Sequence, residues 1–348
     1  MSQEPTPRRI SIRDLAKILG VSHATVSLAL RDSTRISAEV RKRVRNEAEK
    51  LGYRPDPMLA ALSQYRRDKL DHPITASIAW INAWSNPDDL RSLREFDQYW
   101  LGASAAATKF GYRLEEFRVG RECSPERLHQ ILSARGIRGI LLPPQYPHPE
   151  WRSFPWEHYS VVRFGRSLKD PQCHVVTADQ VANTVLAFEK IRGKGYRRIG
   201  FVDNDLVTVK RGHQFQAGYL LSQIDLDHSE KIPVLNLRGA AASKKIRLLG
   251  DWVRRHRVDA IFTGIAELPT ILKKAGLEVP GDVALATTTI LDSTITAGID
   301  QHPYEIGRVG FLMLNSLVND GSLGIPTIFR QILVEGSWVD GDSLPDRI

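Results

Sequence analysis

Between residues 11 and 52, apolar positions recur at helical intervals in three short runs with almost nothing between them. Ser11 opens SIRDLAKILG, with Asp14 three residues on and Leu15 and Leu19 four apart on one face, a capped helix that Gly20 ends. Ser22 restarts the chain as a second N-cap, and Val26 with Ala29 or Leu30 forms a second apolar stripe. A third helix begins at Ser37 and carries Val40, Val44, Ala48 and Leu51 on one side, with Arg41, Lys42, Arg43 and Arg45 on the other, before Gly52. A shorter run, DPMLAAL at 56–62, has Asp56 as N-cap and Pro57 at the first helical position. Two turns are too few to hold alone in water, so this helix needs a partner.

Past residue 73 the pattern changes to short continuous apolar runs alternating with helical stretches. ASIAWI (76–81), GILLPP (139–144) and SVVRFG (160–165) read as the strands of a first half. HVVTAD, RRIGFVDN, IPVLNL, DAIFTG and DVALAT read as those of a second, with helices such as ERLHQILSARG and VANTVLAFEKIRGKG between strands. Repeated strand–helix–strand units of this kind make parallel sheets covered on both faces. Two such sheets leave a cleft, and the loops after their strands should line it.

A chain of 348 residues exceeds one compact core, and 42% hydrophobic with 25% charged residues excludes disorder as the main state. The formal charge of +8 is unevenly placed. Residues 1–70 hold 15 Lys and Arg against 8 Asp and Glu, leaving 33 against 32 of the 48 and 40 in the whole chain. The excess positive charge therefore sits at the front, where it suits a polyanion. MSQEPTPRR begins the chain without an apolar run behind it, and no stretch of about 18 apolar residues occurs, so a cytoplasmic protein with no membrane partner is expected. Cys123 and Cys173 have no companions at metal-ligand spacing, and neither a metal nor a cofactor is expected.

Two short helices joined by a glycine-containing turn and braced by a third make a helix-turn-helix, whose second helix reads bases in the DNA major groove. Arg41 or Arg43 on the third helix is expected to face phosphate. The DPMLAAL helices of two subunits can pair and press apolar wedges into a minor groove.

These residues carry a resemblance. SIRDLAKILGVSHATVSLAL, RISAEVRKRV and LGYRPDPMLAAL resemble the headpiece and hinge of the lactose-repressor (LacI/GalR) family of bacterial transcriptional regulators. The resemblance implies that Ser22, His23, Ala24, Thr25 and Ser27 contact DNA from the recognition helix. It places Ser11 and Ser37 on phosphates and makes Leu62 the minor-groove leucine. Leu28 stands where the family often has Arg, so it joins His23 and Ala24 as a reader suited to thymine methyls rather than to guanine.

GYRRIGFV (195–202), the DxxA frame at Asp179, LEVPGDVAL (277–285) and AGIDQHPYEIGRVGFLMLNSL (297–317) resemble the same family's effector domain. The implied fold is an all-α helix-turn-helix headpiece plus an α/β two-subdomain periplasmic-binding-protein-like effector domain. The expected division is a headpiece at 1–55, a hinge helix and linker at 56–72, and an effector-binding and dimerisation domain at 73–348. Within the last, one subdomain takes about 73–165 and 302–323 and the other about 166–300 and 325–340, with crossings near 165, 301 and 324.

Phe215 and the Thr287–Thr288–Thr289 run stand where the family usually carries charged sugar-binding groups. A less charged, aromatic pocket is therefore expected from Trp84, Phe164 and Phe215, with Asn82, Thr289 and Gln301 as its polar members. The family reading gives a repressor that binds pseudo-palindromic double-stranded operator DNA as a homodimer and answers to a small-molecule effector, with sugars among the candidates. WVDGDSLPDRI at the C-terminus lacks a leucine heptad, which favours a dimer over a tetramer. A sugar-binding protein or an architectural DNA-binding protein without sensing are the alternatives. No catalytic residues are assigned, because no Walker A, GxGxxG, GxSxG or HExxH pattern occurs.

Overall fold

The computed structural model describes residue 10 and residues 12–30, 36–51, 53, 76–120, 123–145, 151, 153–168, 170–203 and 213–347. Ser11, Leu62 and the whole 56–62 run lie outside the described residues. The first unit holds α1 (Ile12–Leu19), α2 (His23–Leu30) and α3 (Ala38–Lys50). Each helix gives its apolar stripe to one small core, where Leu15, Val26, Ala29 and Val44 are fully buried. Gly20, at φ 66°, reverses the chain between α1 and α2, a left-handed position that costs glycine nothing.

The rest of the described chain forms two lobes. The first opens with β1 (Ala76–Asn82), α4 (Asp88–Ser92), α5 (Arg94–Lys109) and β2 (Tyr112–Arg118). It continues through α6 (Pro125–Ala134), β3 (Gly139–Leu142), β4 (Ser160–Phe164) and β5 (His174–Ala178). The second lobe takes α7 (Gln180–Gly193), β6 (Ile199–Asp203), α8 (Gln214–Ser222) and β7 (Leu235–Asn236). It adds α9 (Ala242–His256), β8 (Ala260–Thr263), α10 (Leu268–Lys274), β9 (Ala284–Thr287) and β10 (Gly298–Asp300). Then α11 (Pro303–Asp320) and β11 (Gln331–Val334) return to the first lobe, and β12 (Ser337–Val339) ends in the second.

The first sheet runs β11-β5-β4-β3-β1-β2 and is parallel throughout. The second runs β12-β10-β9-β8-β6-β7, with only β12 antiparallel. Strands such as SVVRF and HVVTA are buried on both faces, as a sheet covered by helices requires.

Two crossings differ from the sequence reading. β5 pairs with β4, so HVVTAD belongs to the first sheet and the chain passes to the second lobe at 178–180 rather than near 165. Gly165 turns the chain at φ 67°, but its N–H donates to the Val176 carbonyl, so the loop folds back beside β4. The last crossing lies at 334–337 rather than near 324, because β11 adds to the open edge of β5 before β12 reaches β10. Between these, the chain returns to the first lobe after Asp300.

α5 and α11 pack closely over the first sheet through glycines. A Cβ on Gly102 would fall 1.9 Å from the Tyr304 carbonyl oxygen, and one on Gly307 would fall 2.1 Å from that of Tyr99. Gly310 gives room to the Phe164 ring, which packs 5.5 Å from Trp80 and 5.4 Å from Tyr99 between ring centroids.

Candidate DNA interface and ligand cleft

α2 is organised from its first turn. The Ser22 hydroxyl accepts the Thr25 N–H at 3.0 Å and also bonds the Thr25 hydroxyl at 2.8 Å. The Ser22 hydroxyl thereby caps α2, satisfying a helix-start amide and fixing where the helix begins. Val26 and Ala29 turn into the core, while His23 stands exposed at the first helical position and Leu28 is half-buried. Ala24 and Ser27 belong to α2, with their side chains outside the described set.

Ser37 caps α3 by accepting the Val40 N–H at 3.4 Å. On α3, Lys42, Arg43 and Arg45 are exposed. Arg43 does not serve simply as a phosphate ligand: its Nη2 donates to the Leu19 carbonyl at 3.1 Å and ties α3 to the end of α1. Helix-end carbonyls lack intrahelical donors, so this bond satisfies one of them. Sequence spacing alone assigns Arg43 to the polar face without showing that α1 ends beneath it.

In the two lobes, polar side chains cluster at strand C-terminal ends, but most of their atoms are already engaged. Asn82, fully buried at the end of β1, donates to the Pro87 carbonyl at 2.8 Å and to Glu116 Oε1 at 2.6 Å, and accepts the Trp84 N–H. Trp84 is half-buried; its Nε1 donates to the Pro144 carbonyl and its ring meets Phe96 edge-on at 6.3 Å. Across in the second lobe, Gln301 donates to the Thr288 carbonyl at 2.7 Å. The Thr289 carbonyl accepts from the Thr287 hydroxyl at 3.0 Å.

The aromatic part of the expected pocket is corrected. Phe164 is buried in the first lobe's core against Trp80, Tyr99 and α11, and Phe215 in the second lobe's core with Phe188 and Tyr219. Both face inward because a strand end or first helical turn beneath a covering helix presents one side to the core, and these rings fill that side. Two groups not singled out as ligand contacts by sequence stand out instead. Gln145 donates from Nε2 to the Ile81 carbonyl, and its buried Oε1 has no partner; the buried Thr288 hydroxyl has none either, and Gly264 lies against it. An unmet buried polar atom costs free energy and suits a ligand hydroxyl or amide. A separate groove of about 500 Å³ lies at the first crossing, with Arg166, Gln180, Val185, Leu221 and Leu333 among its walls and none of the six expected effector residues.

Residues 11–56 match the family described as bacterial regulatory proteins, lacI family. The chain is 26% identical over 322 residues to the HTH-type transcriptional regulator PtxS of Pseudomonas putida, covering 90% of each chain. Among solved structures, it is similar to a transcriptional regulator CelR–cellobiose complex (TM-score 0.53, 20% identity, 96% of this chain and 100% of that one). It is also similar to the lac repressor dimer bound to operator and the anti-inducer ONPF (TM-score 0.52, 16% identity, 97% and 100%).

Proposed function

We propose that this chain, whose residues 11–56 match the bacterial regulatory proteins, lacI family, represses transcription as an operator-binding homodimer under control of a small-molecule effector. The observation that carries this reading is α2, capped by Ser22, anchored by Val26 and Ala29, and exposing His23 at its start. A helix so held presents its N-terminal residues to base edges, and the basic front of the chain supplies the sequence-independent grip on phosphate. The division into a headpiece to 55, a hinge at 56–72 and an effector domain beyond it is part of the proposal. So are the DNA contacts from Ser11 to Leu62. The cellobiose complex among the structural neighbours supports a carbohydrate effector, and Gln145, Thr288, Thr289 and Gln301 offer neutral polar groups for its hydroxyls. Regulator relatives support a binding protein without catalytic residues.

Selection of bound sequences from random duplex DNA tests the proposal directly. A pseudo-palindromic site, preferred over bulk competitor and with affinity falling steeply with salt, is the expected result. Equal binding to all duplexes overturns it.

A further inference from the structure

Closing the two lobes brings together a helix start and a carboxylate that are 198 residues apart in sequence. α5 begins at Arg94 after Leu93, a residue with no side chain able to cap it. First-turn amides have no acceptor inside their own helix, so this 16-residue helix needs one from elsewhere. Asp292, in the loop between β9 and β10 of the other lobe, supplies it. Its Oδ1 accepts the Arg94 N–H and its Oδ2 the Glu95 N–H, both at 3.1 Å.

Asp292 is held at φ 56°, a region most side chains avoid and aspartate tolerates better than most. Its loop is braced behind it: the Ser293 hydroxyl accepts the Ile295 N–H, and the Thr294 hydroxyl donates to the Ala266 carbonyl. The carboxylate therefore sits at the positive end of the α5 dipole, where charge-assisted bonds to backbone amides are strongest. Glu95 and Asp97 in the same first turn oppose it, but Asp97 is paired with Arg91 at 2.8 Å and Glu95 accepts from the Tyr99 hydroxyl.

We propose that Asp292 is an inter-lobe latch: by capping α5 from the opposite lobe it holds the cleft shut without a ligand. The proposal rests on reading the cleft as the regulatory site. An effector shifts lobe closure only by its differential affinity for the open and closed forms, so the latch sets the resting balance that the effector must change.

The test uses the full-length protein with Cys123→Ser, spin-labelled at Lys109→Cys in the first lobe and Lys273→Cys in the second. Labelled chains are mixed with excess unlabelled chain so that a dimer carries one labelled protomer. The expected result is one short, narrow distance distribution for the parent and a broader, longer one for Asp292→Ala. Adding Leu93→Asp to Asp292→Ala gives α5 a local cap; hydrogen exchange at Glu95, the second amide of the helix, should return towards the parent rate while the lobes stay open. An unchanged distribution in Asp292→Ala overturns the latch. So does closure regained in the double variant, since Asp292 would then be only a helix cap. Neither readout involves DNA, so a failure of operator recognition leaves this result standing and is told apart from it.

Discussion

Asp292 and Arg43 are both side chains whose roles depend on which backbone group lies beneath them. For Arg43, that group is the Leu19 carbonyl, and the bond makes it a brace between helices. Arg43→Ala should therefore lower headpiece stability by about 1 kcal/mol, the usual net value of one such bond, seen as an earlier headpiece transition on thermal melting. Lys42→Ala should instead reduce the slope of log affinity against log salt by about 0.9, leaving sequence preference intact. His23→Ala should relax selection at one base pair per half-site by about 1 to 3 kcal/mol, read from the affinities of duplexes changed at that position. The exposed place of His23 on α2 was legible in the sequence because capping and apolar spacing fix the rotation of that helix. Phe164 and Phe215 were not, since an aromatic at a strand end or helix start fits a pocket or a core equally well until the covering helix is placed.

At the scale of elements, the three headpiece helices and most buried strands could be read from period and composition, whereas β11 could not. QILV alternates in exposure and bonds only one neighbour, so nothing local marks it as the edge of the first sheet. Its docking depends partly on His174, whose ring nitrogen Nδ1 accepts the Arg330 N–H at 2.9 Å just before β11. Burial, and secondarily the Arg330 charge, hold the His174 pKa below the ordinary 6.5, so the folded state keeps the ring neutral. The unfolded chain takes up its proton near the ordinary value, so it binds more protons than the folded chain below that pH. This contribution is whole above 6.5 and declines as pH falls towards the folded pKa. His174→Asn keeps an acceptor for Arg330 without a titrating ring, and its melting temperature should fall less than the parent's between pH 7.5 and 5.5. Packing of α11 on the first sheet sets a second constraint. A Cβ at Gly310 would fall 2.1 Å from the Phe164 ring, so Gly310→Ala should destabilise the first lobe by about 1 to 3 kcal/mol in denaturant unfolding.

For the whole molecule, the question is how a change in lobe closure reaches DNA. The chain passes between the lobes at 178–180, after Asp300 and at 334–337, so one lobe cannot rotate without straining three short connections at one end of both sheets. The crossing pattern leaves β1, the first element of the effector region, in the first lobe. In a dimer, rotation of the second lobe against the first can therefore shift the two copies of β1 and the hinge segments that precede them. Leu62 lies in that segment, outside the described residues, and its assignment rests on the family resemblance. If paired hinge helices press Leu62 into the central minor groove, Leu62→Ala removes the wedge but none of the headpiece contacts. Operator affinity should then fall by about tenfold or more while half-site preference is kept, a loss at least of the size that one mismatched base pair commonly causes. Calorimetric titration of a ligand found by thermal-shift screening should meanwhile give the same affinity for the variant and the parent, since the cleft lies in the other domain. Undiminished operator binding by Leu62→Ala would remove the hinge wedge from this account of how the protein grips DNA.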